Sequence, residues 1–331
     1  DKEHSNLFYN GIADSHLFMR HHVNNFATIL LKEHYGKETK RIPEGNYKFY
    51  ADYAFQVQKQ TQEEILRLVK KYVEKTNIKK VCVTGGYGLN VITNHYLIKN
   101  LPEVEFYFEP IADDASISLG SAIYAHKNEM GTIPELPYHT FFNHIPHNLK
   151  QIKGKRISIN DIAQLLADQQ SVAVFNGQAE CGPRALGNRS ILFDPRNPDA
   201  KNIINQIKQR EWYRPFAGCV LEEDAKEYFE MYHLTKSPNM TISFPVLTDS
   251  IPGITHVDGT CRIQTVNNSI PHLYNLLKEF KRLTGCSVLL NTSFNLAGDP
   301  LVESPQDAIK TFKNSKINYL WFVEKNIILD T

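Results

Sequence analysis

Apolar Ala54, Val57, Ile65, Leu68, Val69 and Tyr72 recur at helical spacing with charges between them, which predicts one long amphipathic helix over residues 51–75. The pattern then changes period. KKVCVTGG (79–86) reads as a short buried strand ending in a glycine pair, and the chain turns from it into a helix carrying Asn90 and Asn94 one turn apart. A second strand, EFYFEP (105–110), leads to Asp113 and Asp114 ahead of a helix of small residues. Strand, turn and helix repeated in this way predict a parallel α/β sheet, whose ligands collect at the carboxyl ends of strands. Gly85, Gly86, Asn90 and Asp114 fall at that edge. The plainer reading is that the glycines permit tight turns and the aspartates cap a helix; two such edges in succession favour ligand binding.

A Pro- and His-rich stretch over 131–155 has no sustained period and reads as an interdomain connection. Beyond it come a helix (159–168), a buried strand SVAVF (171–175), a helix in PDAKNIINQIKQR, a strand-like HVDGTCRIQTV (256–266) and a buried strand opening SVLLNTSFNLAGDP (287–300). SPQDAIKTFKNS starts a helix with Ser304 as its cap and Asp307 at the third helical position, and INYLWFVEKNIIL closes as one strand or a pair.

The polar segment 176–196, NGQAECGPRALGNRSILFDPR, follows SVAVF directly. Gly177, Gly182 and Gly187 would let backbone N–H groups approach an anion, and Arg184 and Arg189 carry guanidinium forks suited to phosphate or carboxylate oxygens. An arginine-rich surface loop paired to acids is the alternative. Against it, Lys208, Arg210 and Arg214 follow with no acid between Asp199 and Glu211, and Arg262 adds a further cation. The expectation is an anion site. Asn291, Thr292, Ser293 and Asn295 supply neutral hydrogen-bonding groups for a ribose, an adenine edge or a small amide.

Composition narrows the classes. The 331 residues suffice for two domains, and 37 basic against 36 acidic residues leave a net charge of +1, which argues against an overall nucleic-acid or membrane footprint. Five cysteines without a CxxC pair suggest neither a zinc ribbon nor a disulfide framework and fit a reduced, cytoplasmic setting. His4, His16, His21, His22 and His34 form no HxxxH pair, and His139, His144 and His147 lie in the connecting stretch; surface or core roles suit them better than metal ligation. No apolar run is long enough to span a bilayer.

GQAECGPRALGNRSILFDPR, KQREWYRPFAG, HVDGTCRIQTV and NTSFNLAGDPLVESPQDAI resemble, in order, the C-terminal domain of the NodU/CmcH-type O-carbamoyltransferases, while ADYAFQVQKQ, GGYGLNVITN and EPIADDASISLGSA resemble the later half of that family's N-terminal domain. The resemblance implies an α/β chain: residues 1–140 as part of an ASKHA (actin-like, sugar-kinase-like) domain, 141–155 as linker and 156–331 as a YrdC-like domain with a twisted mixed sheet. It implies that the second domain uses carbamoyl phosphate, ATP and Mg2+ to form carbamoyl-adenylate, and that the first passes the carbamoyl group to a hydroxyl of a sugar, natural product or hydroxymethylated nucleobase. By motif match, Arg184, Arg189, Lys208, Arg210, Arg214 and Arg262 are the catalytic cations, with Gly182, Asn291, Thr292, Ser293 and Asn295 beside them. Gly85, Gly86 and Asn90 match a nucleotide-facing loop, and Asp114 takes the place of a ligand to Fe(II) or a similar divalent metal. Asp113 and Ser116 stand where the family has glycines. The family's HxxxH pair and first phosphate loop lie upstream of anything present, so a longer chain or a separate N-terminal polypeptide is expected to complete the domain; otherwise the chain would be an anion-binding partner subunit. A homodimer fits either case. A tRNA threonylcarbamoylation factor is a third reading, disfavoured by GPRALGNRS and HVDGTCRIQTV.

Overall fold

The computed structural model describes residues 47–135, 140–143 and 149–330. The histidines from His4 to His34 and His139, His144 and His147 lie outside them. Two compact units are present, Asp1–Glu63 and Glu64–Thr331. In the first, the described residues form the opening part of helix α1 (Tyr47–Thr76), which begins and ends close to the predicted bounds.

In the second unit, β1 (Lys80–Val83) and β2 (Glu105–Phe108) pair in parallel, Lys80 opposite Glu105 and Val83 opposite Phe108. Helix α2 (Val91–Asn100) connects them and α3 (Ser116–Met130) follows. This is the predicted parallel strand–helix–strand unit, except that β1, expected to be buried, is exposed or half-buried throughout. Buried Leu97, Ile98, Leu101, Val104 and Phe108 join it to the main core.

That core surrounds a mixed sheet of nine strands: β3 (Lys155–Arg156), β4 (Val172–Phe175), β5 (Arg189–Phe193), β6 (Ala217–Leu221), β7 (Ser243–Pro245), β8 (Thr260–Val266), β9 (Val288–Ser293), β10 (Tyr319–Phe322) and β11 (Ile327–Asp330). Their spatial order is β3-β11-β10-β4-β5-β9-β6-β8-β7. Only β10/β4 and β6/β8 pair in parallel. The closing segment is therefore two antiparallel strands, Tyr319 opposite Asp330. Helices α4 (Ile159–Ala167), α5 (Ala200–Ile207), α6 (Ala225–Tyr228), α7 (Pro271–Thr284) and α8 (Pro305–Lys313) complete the unit. Both α4 and α8 start on full capping boxes, Ser158 with Asp161 and Ser304 with Asp307. The α/β class and mixed sheet agree with expectation, and the expected connection 141–155 falls inside this unit.

Three elements departed from the sequence reading. The polar loop ends at Asn188, because RSILF is strand β5 with all five residues buried between β4 and β9. AGCVL forms β6, likewise fully buried. Helix α7 places Leu273, Leu276, Leu277 and Phe280 in the core, with proline in its first turn and Gly285 (φ 77°) ending it. No helix of the described residues is long and apolar enough to cross a membrane.

Candidate anion site

The ends of the central strands and the loops beside them enclose a cavity of about 430 Å³, lined by Arg184, Arg210, Arg214, Arg262, Asn291, Thr292 and Ser293 together with Pro183, Ala185, Pro215 and Met240. Four guanidinium groups face one volume, and no carboxylate is among its lining residues.

Each arginine is held differently. Arg184 gives one N–H to Leu89 O at 3.0 Å, while its Nε, sealed from solvent, has no partner. Arg210 donates from Nε to Asn205 Oδ1 (2.6 Å) and stacks on Phe216, its guanidinium carbon 4.3 Å from the ring centre. Buried Asn205, on α5, also donates to the carbonyls of Trp212 and Arg214, so one amide shapes the turn carrying two cavity arginines. Arg214 is exposed and pairs with Glu211 at 2.7 Å. Arg262, on β8, has a buried Nε with no partner. Burial, with Arg184 and Arg210 close by, pushes the Arg262 guanidinium down to about 9, and burial with Arg214 nearby pushes Arg210 down to about 10. Desolvation lowers Arg184 too. Arg184 and Arg262, drawn out of water with their Nε atoms unpartnered, give the cavity a cationic wall that an anion would complement.

The other expected residues take supporting positions. Arg189 is fully buried in β5, outside the cavity lining, and donates to the carbonyls of Asn176 (2.6 Å), Asn188 (2.9 Å), Gly177 (2.9 Å) and Glu303 (3.0 Å). Its guanidinium carbon stacks 3.6 Å from the centre of the Phe175 ring. Lys208 also stands behind the wall: its ammonium meets Ser293 O (2.5 Å), Asn295 O (3.0 Å) and Asn295 Oδ1 (2.9 Å), bracing the end of β9. Burial and Arg210 push that ammonium down to about 7, and the oxygens around it favour its charged form. Gly182 (φ 101°) brings the loop against the β2–α3 connection, where an added Cβ would lie 3.2 Å from Pro110 O. Gly85 and Gly86 face open space, Asn90 caps α2 by accepting from Thr93 N, and neither glycine nor Asn90 lines the cavity. Their turn reaches it through Leu89 O. Asp114 is exposed, and among the described residues no three His, Cys, Asp or Glu side chains gather to hold a metal ion. The expected Fe(II) site is thus not formed by the residues described.

Sequence reasoning missed Glu180. Its buried Oε1 accepts from the N–H groups of Leu186 (2.7 Å), Asn188 (2.8 Å) and Arg189 (3.3 Å). Loop amides expected to meet an outside anion are therefore filled by the loop's own carboxylate. The signal was present: Glu180 is the one acid between Asp168 and Asp194.

Fold and site together define an α/β protein with an arginine-lined cavity at the ends of its central strands. The chain belongs to the carbamoyltransferase family: residues 163–328 match the family model "Carbamoyltransferase C-terminus" and residues 11–123 match "Carbamoyltransferase N-terminus". Both models fall on this one chain, so the expectation of a separate polypeptide supplying the N-terminal family sequence finds no support. An uncharacterized protein of Methanocaldococcus jannaschii is 32% identical over 330 residues, 93% of this chain and 53% of its own length. Nodulation protein NolNO of Sinorhizobium fredii is 34% identical over 298 residues, 82% of this chain and 43% of its own. The chain thus spans about half the length of the curated relatives it matches. Among solved structures, full-length HypF in a phosphate- and nucleotide-bound form is similar over 47% of this chain and 20% of its own, with TM-score 0.37 and 18% identity.

Proposed function

We propose that this chain activates carbamoyl phosphate with ATP for transfer to a hydroxyl acceptor. The observation that carries the reading is the convergence of Arg184, Arg210, Arg214 and Arg262 on one cavity without a carboxylate in its wall. Its volume, about 430 Å³, suits a small phosphorylated ligand together with part of a nucleotide. Family membership supplies the carbamoyl chemistry.

In the proposed sequence, water displaces phosphate from carbamoyl phosphate and leaves carbamate. A carbamate oxygen then attacks the α-phosphorus of ATP and expels pyrophosphate, giving carbamoyl-adenylate. An acceptor hydroxyl attacks the carbamoyl carbon, expels AMP and loses its proton to solvent. The arginines neutralise the two phosphorylated substrates and hold charge on departing phosphate and pyrophosphate. Arg189, Lys208 and Gly182 position the walls. Mg2+ accompanies the ATP phosphates, and no step is assigned to a protein-bound metal. Residues 156–331 form the activating, YrdC-like part and residues 1–140 belong to an ASKHA-type transfer part, whose acceptor is a sugar, a natural product or a hydroxymethylated nucleobase.

Carbamoyl phosphate-dependent exchange of labelled pyrophosphate into ATP tests the reading. Wild type should exchange, and Arg184→Ala and Arg214→Ala should lose the signal. Exchange at the wild-type rate in both variants would refute the assignment.

A further inference from the structure

Three side-chain atoms in the cavity lining are sealed from solvent without a hydrogen-bond partner. Two are donors, Arg184 Nε and Arg262 Nε; the third is an acceptor, Asn291 Oδ1. Asn291 is fully buried, and its orientation is fixed by a chain of amides. Gln264 Nε2 donates to Leu186 O at 2.8 Å, so Gln264 Oε1 is left to accept. Asn291 Nδ2 meets that oxygen at 3.0 Å and lies 3.4 Å from Ala185 O, which uses both amide protons. Flipping Asn291 would set its oxygen against Gln264 Oε1, so Oδ1 remains the free acceptor.

A wall of guanidinium donors with one unsatisfied acceptor calls for a ligand that is anionic and also carries an N–H. We propose that Asn291, oriented by Gln264, is the residue that selects a carbamoyl over an acyl group by accepting a hydrogen bond from the carbamoyl NH2. This rests on the carbamoyl phosphate reading and adds the basis of its specificity. Acetyl phosphate has the same charge and nearly the same shape but presents a methyl group, which leaves Oδ1 buried and unpaired.

Competition titrations of carbamoyl phosphate and acetyl phosphate on one protein preparation test this, because the ratio of their affinities cancels the shared phosphate contacts and any general loosening. Wild type should prefer carbamoyl phosphate by about 10- to 100-fold, the range expected for one unsatisfied buried acceptor. Asn291→Leu should reduce the ratio to near unity. Equal wild-type affinities, or an Asn291→Leu protein with an unchanged ratio, would overturn the inference while leaving the activation reading intact. Failure of wild type to bind carbamoyl phosphate would overturn both. Equal wild-type affinities would overturn the inference even where the variant does not fold.

Discussion

Arg189 and Arg262 are both cations withdrawn from water, yet their surroundings differ. Four carbonyl oxygens and a phenyl ring hold the two terminal nitrogens and the face of Arg189, and nearby Glu180, Glu324 and Glu303 favour its charge, although its Nε has no partner. Arg262 shares the partnerless Nε but has two neighbouring arginines that disfavour its charge. Opposite substitution effects follow. Arg189→Met strands buried carbonyls and should cost about 3 kcal/mol in denaturant unfolding. Arg262→Met removes a repelled charge and should raise the melting temperature by a few degrees while abolishing anion binding, a stability–function trade seen where a site holds strained charge. A lower melting temperature for Arg262→Met would make it a structural residue like Arg189.

At the scale of elements, the loop 176–188 is held from inside. Glu180→Ala would free three buried N–H groups at once and should destabilise by about 3 kcal/mol, whereas Glu180→Gln keeps an acceptor and should cost less. From α7, buried His272 directs Nε2 at Gly187 O (3.0 Å) and Nδ1 at Asn176 Nδ2 (3.4 Å), the arrangement of a neutral ring. Burial holds its pKa below the ordinary 6.5, so below that value the unfolded chain binds the extra proton first. Stability is therefore present above the window and lost as pH falls through it. Partly buried His256 is shifted in the same direction and adds to the effect. Melting temperatures should drop between about pH 7.5 and about pH 5, and His272→Gln should flatten the slope. An unchanged slope would exclude His272 as a contributor. These contacts also explain what the sequence hid. The loop's glycines and arginines announced an anion site, but Arg189 stands at the start of a strand whose apolar Ile191, Leu192 and Phe193 were overshadowed by the polar residues before them. Helix α7 carries its core residues at regular helical spacing and was legible, though unread.

At the scale of the whole molecule, the strand–helix–strand order of residues 79–130 was readable from period and turn chemistry, whereas the mixed character of the sheet was implied only by the family resemblance. The motifs also disclosed the family. Which cations meet was not readable: Arg184 and Arg262 come together because β6 and β8 run parallel and the loop before β5 folds over their edge, a consequence of pairings remote in sequence. Lys208 and Arg189 belong to the same motifs but stand behind the walls those pairings create. The chain thus separates arginines that line the cavity from cations that brace its walls.

Calorimetric titration of carbamoyl phosphate into wild type, Arg262→Met and Arg214→Ala, each confirmed folded by its melting curve, tests that separation most directly. The account predicts saturable binding by wild type, weakened at least about 100-fold in Arg262→Met and by a smaller factor at the exposed Arg214. Wild-type affinity in a folded Arg262→Met protein would contradict it.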